Sequence, residues 1–217
     1  MIITIDGPAG TGKSTVAKRI AQKLGFLYLD TGAMYRACAL WASWQGLEWN
    51  DPQQFARRVH EIPLRVEYSG TSQRTWLANQ DVSDLIRTPE VTEITKFAAG
   101  NPAVREFLGE RQREIGSRQS LVTEGRDQGT AIFPNAELKI FLEASPEIRA
   151  QRRSGELRQQ GRNPDYSEIL KAINDRDEQD RNRTVGPLKK APDAIEIQTD
   201  DLSVDQVVNQ ILNLIKQ

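Results

Sequence analysis

Eight consecutive residues, Gly7-Pro8-Ala9-Gly10-Thr11-Gly12-Lys13-Ser14, carry the chemistry most directly legible in this chain. They fill every fixed position of the pattern G-x-x-x-x-G-K-[ST], in which backbone N–H groups wrap around phosphate oxygens. Glycine permits the inward turn, and the helix that follows adds the positive end of its dipole. Lys13 reaches the terminal phosphates, and the Ser14 hydroxyl suits a magnesium ion. Together with Thr15, these residues predict a site for a nucleoside triphosphate and Mg²⁺. A dinucleotide fingerprint is excluded, because Gly10-x-Gly12 is followed by Thr15 where a third glycine is required.

The second chemical signal is arginine. The chain has 20 Arg against 9 Lys, and 13 of the arginines fall between Arg105 and Arg183. A planar guanidinium grips phosphate or carboxylate through two parallel hydrogen bonds, so the bias points to anion recognition in the second half of the chain. Arg176, Asp180 and Arg183 recur at i, i+4 and i+7 of a predicted helix and so share one face. Asp177 and Arg181 are expected to pair on another, solvated face.

These groups need elements to position them. Met1–Ile5 reads as a buried strand and Ser14–Leu24 as a helix, which with the strand Phe26–Leu29 makes a βαβ unit. A helix over Ala33–Trp41 sets Thr31, Tyr35 and Arg36 near the strand's carboxyl end, where open parallel sheets bind ligands. Trp41 and Trp44 are expected to pack. A polar helix is predicted for Glu48–Glu61, followed by a hairpin of Pro63–Tyr68 and Arg74–Ala78 with a turn at Ser69-Gly70-Thr71. Glu90–Ala99 and Pro102–Ile115 read as helices. The parallel core resumes at Ser120–Thr123, delivering Glu124, Arg126 and Asp127, and continues at Leu138–Leu142. A helix from Pro146 to Gly161 carries Arg149, Arg152, Arg153 and Arg158, and one over Ser167–Arg183 follows. A last strand at Ala194–Ile197 and an amphipathic helix over Ser203–Ile215 close the chain.

At 217 residues one domain is the default, with residues 62–100 as an accessory insert and 152–164 as a phosphate-covering lid. Net charge −1 gives no bulk attraction to nucleic acid or anionic membrane. The single cysteine, Cys38, cannot build a disulfide framework and reads as core, and the lone His60 as surface. Without a basic leader or a segment near ~20 apolar residues, the expectation is a soluble cytoplasmic protein.

The use made of the phosphate follows from what is missing and what is abundant. There is no Asn-Lys-x-Asp, and no Asp-x-x-Gly after the Ser120–Thr123 strand, so the guanine-reading parts of a GTPase switch are absent. A transferase acting on an alcohol needs a carboxylate base, whereas a phosphate acceptor is already anionic and needs its charge neutralised. Arginines around Mg²⁺ meet that need. Kinases for other acceptors, such as UMP, AMP or shikimate, stay open at this point, as does a non-catalytic ATP-binding protein.

Several blocks in order resemble the bacterial cytidylate (CMP/dCMP) kinases. They are GPAGTGKST at Gly7–Thr15, LDTGAMYR at Leu29–Arg36, DVSDLIRTPEV at Asp81–Val91, VR at Val104-Arg105, EGRDQGTAIFPNAELKIFL at Glu124–Leu142, RAQRR at Arg149–Arg153, and RDEQDRNR at Arg176–Arg183 with Pro187-Leu188. The resemblance implies an α/β, adenylate-kinase-like five-stranded parallel sheet flanked by helices, with a β-containing nucleoside-monophosphate insert and a short lid. It implies Mg²⁺-dependent transfer from ATP to CMP or dCMP by a monomer without nucleic-acid or membrane partners. Residue by residue, it places Thr31, Tyr35, Arg36, Arg126 and Arg183 on the acceptor phosphate and Arg176 with Asp180 on the ribose. Thr95, Arg105 and Asp127 would read cytosine, Thr95 standing where a serine is usual. It implies catalytic roles for Lys13, Arg126 and Arg183, and for Arg153 and Arg158 on the lid, with Arg152 a further lid candidate.

Overall fold

The β-branched run at the start forms β1 (Ile2–Asp6), buried over its last four residues, and the phosphate-loop sequence leads straight into α1 (Lys13–Leu24). In this computed structural model, which describes residues 1–49, 51–70 and 72–215, the chain continues through β2 (Leu27–Asp30), α2 (Thr31–Trp44) and α3 (Pro52–Arg58). Next come β3 (Leu64–Ser69), β4 (Ser72–Leu77), β5 (Gln80–Asp81), α4 (Pro89–Gly100), α5 (Pro102–Arg118) and β6 (Leu121–Gly125). A single wide helical turn at Gln128–Ile132 precedes β7 (Leu138–Glu143), α6 (Pro146–Gln159), α7 (Tyr166–Arg181), β8 (Ile195–Gln198) and α8 (Val204–Ile215).

Four helix starts share one sequence grammar. Asp51, Thr88, Asn101 and Ser145 each precede a proline, and each side chain accepts a backbone N–H of the first turn of α3, α4, α5 or α6. Proline fills a position whose N–H would have no helical partner, and the cap satisfies one that would otherwise be orphaned.

The strands form a five-stranded sheet of order β2-β6-β1-β7-β8, the parallel architecture the sequence predicts, and a separate sheet of order β3-β4-β5. In the first, Ile5 faces Ile140 across β1 and β7, and Ile140 faces Ile195 across β7 and β8, both pairings parallel. In the second, antiparallel pairing sets Leu64 against Leu77 and Trp76 against Asp81. By its contacts the chain divides into two compact units, Met1–Leu24 with Val122–Gln217, and Gly25–Leu121. In the first, α1 packs with α8 and α6 with α7, around Ile3, Ile5, Ile20, Leu142, Val208 and Ile211. In the second, α2 packs with α4 and α5 around Met34, Cys38, Ile86 and Leu108. No helix among the described residues is long and apolar enough to cross a membrane.

Several local expectations are corrected. The helix predicted from Glu48 begins only at Pro52, because Asp51 caps it there, and Val59–Glu61 tightens into a 3₁₀ turn. Trp41 packs, but Trp44, on the last turn of α2, is 45% exposed. Of the predicted turn at Ser69–Thr71, Thr71 lies outside the described residues. The insert holds a third strand, β5, whose two residues give no period to read. Helix α7 stops at Arg181, so Arg183 lies beyond it: the Leu188 N–H returns to the Asp180 carbonyl at 2.8 Å and draws the chain off the helix axis.

One backbone approach fixes the start of the phosphate loop. Gly7 has φ +144°, and a Cβ there would lie 2.1 Å from the Leu142 carbonyl oxygen on β7. Neither side is a flexible side-chain end, so Gly7→Ala must displace sheet backbone. The expected loss is about 3 kcal/mol or more, read as a lower urea midpoint. A midpoint within experimental error of the wild type would show that the loop yields there without cost.

Candidate active site

The loop between β1 and α1 folds back on its own lysine. Lys13 Nζ donates to the Pro8 carbonyl at 2.5 Å and Thr11 Oγ1 to the same oxygen at 3.2 Å, while Gly10 and Gly12 take φ of +85° and +89°. Pro8, Thr11 and Lys13 are buried and Ala9 is partly covered, whereas Gly10, Ser14 and Thr15 face solvent. The loop therefore presents its turn outward at the N-terminus of α1, as an anion cradle requires. Ser14 Oγ donates to Glu124 Oε1 at the end of β6, 2.9 Å away. This all-oxygen pair has the donor chemistry a hard divalent cation takes. Among the described residues no group of three or more His, Cys, Asp or Glu builds a cation cage without further ligands.

Around Lys13 the first unit gathers charges of both signs. Burial, then the facing Arg126, push the Lys13 ammonium down to about 7, against the pull of Glu124 and Asp6. Arg126 Nε donates to Asp180 Oδ2 at 2.7 Å, and Arg183 pairs with Oδ1 of the same carboxylate. Burial alone would raise the Asp180 carboxyl, but Arg126 and Arg183 hold it below the usual carboxylate range. The fold thus brings Lys13, Arg126, Arg176, Asp180 and Arg183 into one electrostatic neighbourhood, with Asp127 buried beside them. Arg176 is exposed, as are Arg153, which pairs with Glu156, and Arg158.

A cavity of about 530 Å³ opens beside the loop. Gly10 to Val16 line one side, and Arg152, Thr199, Leu202 and Val207 the other. Arg152 is held there by the Thr199 hydroxyl at 3.2 Å and its carbonyl at 2.5 Å.

The second unit holds the remaining predicted residues. Asp30 caps α2 through the Ala33 N–H, and Thr31 and Tyr35 are buried in its first turns. Arg36 donates to Thr92 Oγ1 at 2.6 Å and to the Ile86 carbonyl at 3.1 Å; burial and then the nearby Arg87 pull its pKa down. Arg105 is 6% exposed, with its guanidinium 5.6 Å from the centre of the Tyr35 ring. Thr95 Oγ1 donates to the Val91 carbonyl at 2.6 Å, which commits its proton and leaves its oxygen as an acceptor.

Two groups escaped the sequence reading. Asp6, next to Gly7, accepts the N–H groups of Gln128 at 2.9 Å and Gly129 at 2.7 Å, tying β1 to the wide turn behind Arg126 and Asp127. Its position between strand and loop was the available signal. Asp177 is not on a solvated face paired with Arg181; it is 3% exposed and bound by Arg149, itself 1% exposed. Nothing in the sequence separates Arg149 from the other arginines of α6.

The sequence model of the family described as Cytidylate kinase matches residues 3–217. A cytidylate kinase from Rhodopirellula baltica is 48% identical over 100% of this chain and 93% of its own length. One from Fervidobacterium nodosum is 49% identical, covering 99% of this chain and 96% of that protein. The bifunctional pantoate ligase/cytidylate kinase of Synechococcus elongatus is 48% identical over 98% of this chain, which spans 41% of that longer protein. Among solved structures, a shikimate kinase from Bacteroides thetaiotaomicron superposes with a TM-score of 0.52 at 13% identity, covering 100% of this chain and 99% of that one. At that identity the likeness is one of fold.

The Asp6 geometry yields a pH test. Burial raises its carboxyl from 3.8 to about 6 in spite of the two N–H groups it accepts, with Asp127 adding to the rise. Between those values the folded chain holds a proton that the unfolded chain has released, so stability falls as pH rises through the window. The stability of wild type minus that of Asp6→Asn is expected to decline by about 2 kcal/mol between pH 4 and pH 7. A difference independent of pH in urea titrations would contradict it.

Proposed function

We propose that this chain, which belongs to the cytidylate kinase family, transfers the γ-phosphoryl group of ATP to CMP or dCMP, giving ADP and CDP or dCDP. Beyond the family match, the observation that supports the reading is that Arg126, Arg176 and Arg183 gather with Lys13, while the carboxylates there other than Asp127, which this reading assigns to the base, are engaged by other donors. Asp6 accepts two backbone N–H groups, Glu124 accepts from Ser14, and Asp180 is held by Arg126 and Arg183. A hydroxyl acceptor would need one of them as a base. A phosphate acceptor needs none, and the guanidiniums suit its charge.

In this reading the backbone of Gly7 to Thr15 and Lys13 bind the triphosphate, and the cavity lined by Arg152, Thr199 and Leu202 takes the rest of the ATP. Ser14, with Glu124 behind it, would hold Mg²⁺, which supplies charge neutralisation when bound. Arg126 and Arg183, with Thr31, Tyr35 and Arg36, orient the acceptor phosphate, and Arg176 with Asp180 takes the ribose. The arginines matter because two anionic substrates must be brought in line, and the transferring group spreads its charge over equatorial oxygens. Arg153 and Arg158, exposed on α6, serve the lid of residues 152–164, which excludes water so that the acceptor phosphate and not water attacks the γ-phosphorus and ADP leaves.

Base choice follows from donor direction. Cytosine offers an amino donor at N4 and acceptors at N3 and O2. Asp127 and the Thr95 oxygen, whose proton is spent on Val91, are acceptors for N4, and Arg105 supplies donors. Uracil turns an acceptor toward the acceptors and is disfavoured. The family resemblance supports a monomer working in the cytoplasm on these small nucleotides.

Product formation from ATP and Mg²⁺ with CMP, dCMP, UMP, AMP, GMP and shikimate tests the assignment. Turnover is expected mainly with CMP and dCMP, lost in Lys13→Ala with the fold intact. In Asp127→Ala the CMP-over-UMP ratio of kcat/KM is expected to fall about tenfold or more. A preference for another acceptor, or an unchanged ratio in Asp127→Ala, would overturn the base-reading set.

A further inference from the structure

The largest fully buried side chain of the first unit is an arginine with no place in the reaction just described. Arg149 lies on the first turn of α6, and its guanidinium joins three segments. Nε donates to the Ala144 carbonyl at the end of β7, 3.0 Å away. Nη1 donates to the Ala9 carbonyl of the phosphate loop at 3.0 Å and to Asp177 Oδ1 at 3.1 Å, and Nη2 to Asp177 Oδ2 at 2.6 Å. Its aliphatic stem lies under the loop as well: a Cβ on Gly10 would come 3.3 Å from the Arg149 Cβ.

The contact to Ala9 sets a direction. In a trans peptide the carbonyl and the following N–H lie in one plane and point in opposite directions. With the Ala9 oxygen turned inward to Arg149, the Gly10 N–H must point away, toward the exposed side of the loop where an anion is cradled. An anion on that N–H polarises the same peptide and strengthens the carbonyl as an acceptor, so the two interactions reinforce each other. The other half of the guanidinium holds α7. Asp177 is one residue from Arg176 and one turn from Asp180, the carboxylate that gathers Arg126 and Arg183.

We propose that Arg149 is a positioning residue that aims the Ala9–Gly10 peptide at the triphosphate while fixing, through Asp177, the helix that presents Arg176 and Asp180 to the acceptor, so that binding at one site strengthens binding at the other. The inference rests on the CMP kinase reading of those residues. Lysine cannot replace arginine here: one ammonium on a flexible stem lacks the planar fork that meets a carboxylate with Nη1 and Nη2 and two carbonyls with Nη1 and Nε.

The test is the affinity for CMP, by calorimetry, with and without a saturating non-hydrolysable ATP analogue and Mg²⁺. In the wild type the analogue is expected to tighten CMP binding about tenfold. In Arg149→Lys the gain is expected to fall below about twofold. The paired variant R149M/D177L removes both charges together, so that neither is left buried alone, and should lose the gain to the same extent. A merely structural role would weaken both ligands while leaving their mutual enhancement unchanged; that outcome in either folded variant, or a wild type without enhancement, overturns the proposal. A wild type that binds the analogue but no CMP would instead refute the reading of the acceptor.

Discussion

A loop that binds an anion through backbone N–H groups must have those groups aimed in advance, and the first unit is arranged around that constraint. The support comes from behind. Leu142 closes on Gly7, Lys13 folds onto the Pro8 carbonyl, and Arg149 takes the Ala9 carbonyl. The last two contacts each fix a carbonyl, and each fixed carbonyl orients the N–H of the next residue. Preorganised dipoles cost no reorganisation when phosphate arrives, which is where their advantage over flexible side chains lies.

The same constraint explains why so many charges are buried here. Lys13, Asp6, Glu124, Asp127, Arg149, Asp177 and Asp180 all have little exposed surface. Buried ion pairs add little to stability after desolvation, so the cluster is poorly explained as a stabiliser. It is better explained as a template. Arg126 and Arg183 are balanced by the one carboxylate of Asp180, and Lys13 sits among Arg126 and Arg176 with its proton loosened. The named cations and carboxylates balance, but the most exposed of them are the guanidiniums of Arg176 and Arg183, and an anionic substrate can meet them there.

How much of this the sequence carried depended on how local each signal is. The phosphate loop was complete in eight residues, and β1, β7 and α8 follow from a β-branched run, a short apolar run and a single apolar helical face. Cap-proline pairs marked the starts of α4 to α6, whereas the Asp51-Pro52 pair at the start of α3 was passed over. The other failures were non-local. Asp177 and Asp180 stand three apart on α7, roughly 60° around the helix, so both turn inward and only their partners distinguish them. Arg149 differs from Arg152 and Arg153 by what α6 rests on, and that is set by β7 and the loop. Strand β5 is two residues long, and the wide turn at Gln128–Ile132 depends on Asp6, more than a hundred residues earlier in the chain. Where Arg183 departs from α7 is likewise decided by Leu188 returning to Asp180.

A site built on neutralising guanidiniums should pass a phosphoryl group to another phosphate and not to water. A rapid-quench experiment with γ-labelled ATP, Mg²⁺ and CMP, following the label through a single turnover, measures that directly. The result expected is label appearing in CDP in step with its loss from ATP, with inorganic phosphate at background. Label released mainly as inorganic phosphate, with CMP unchanged, would contradict it.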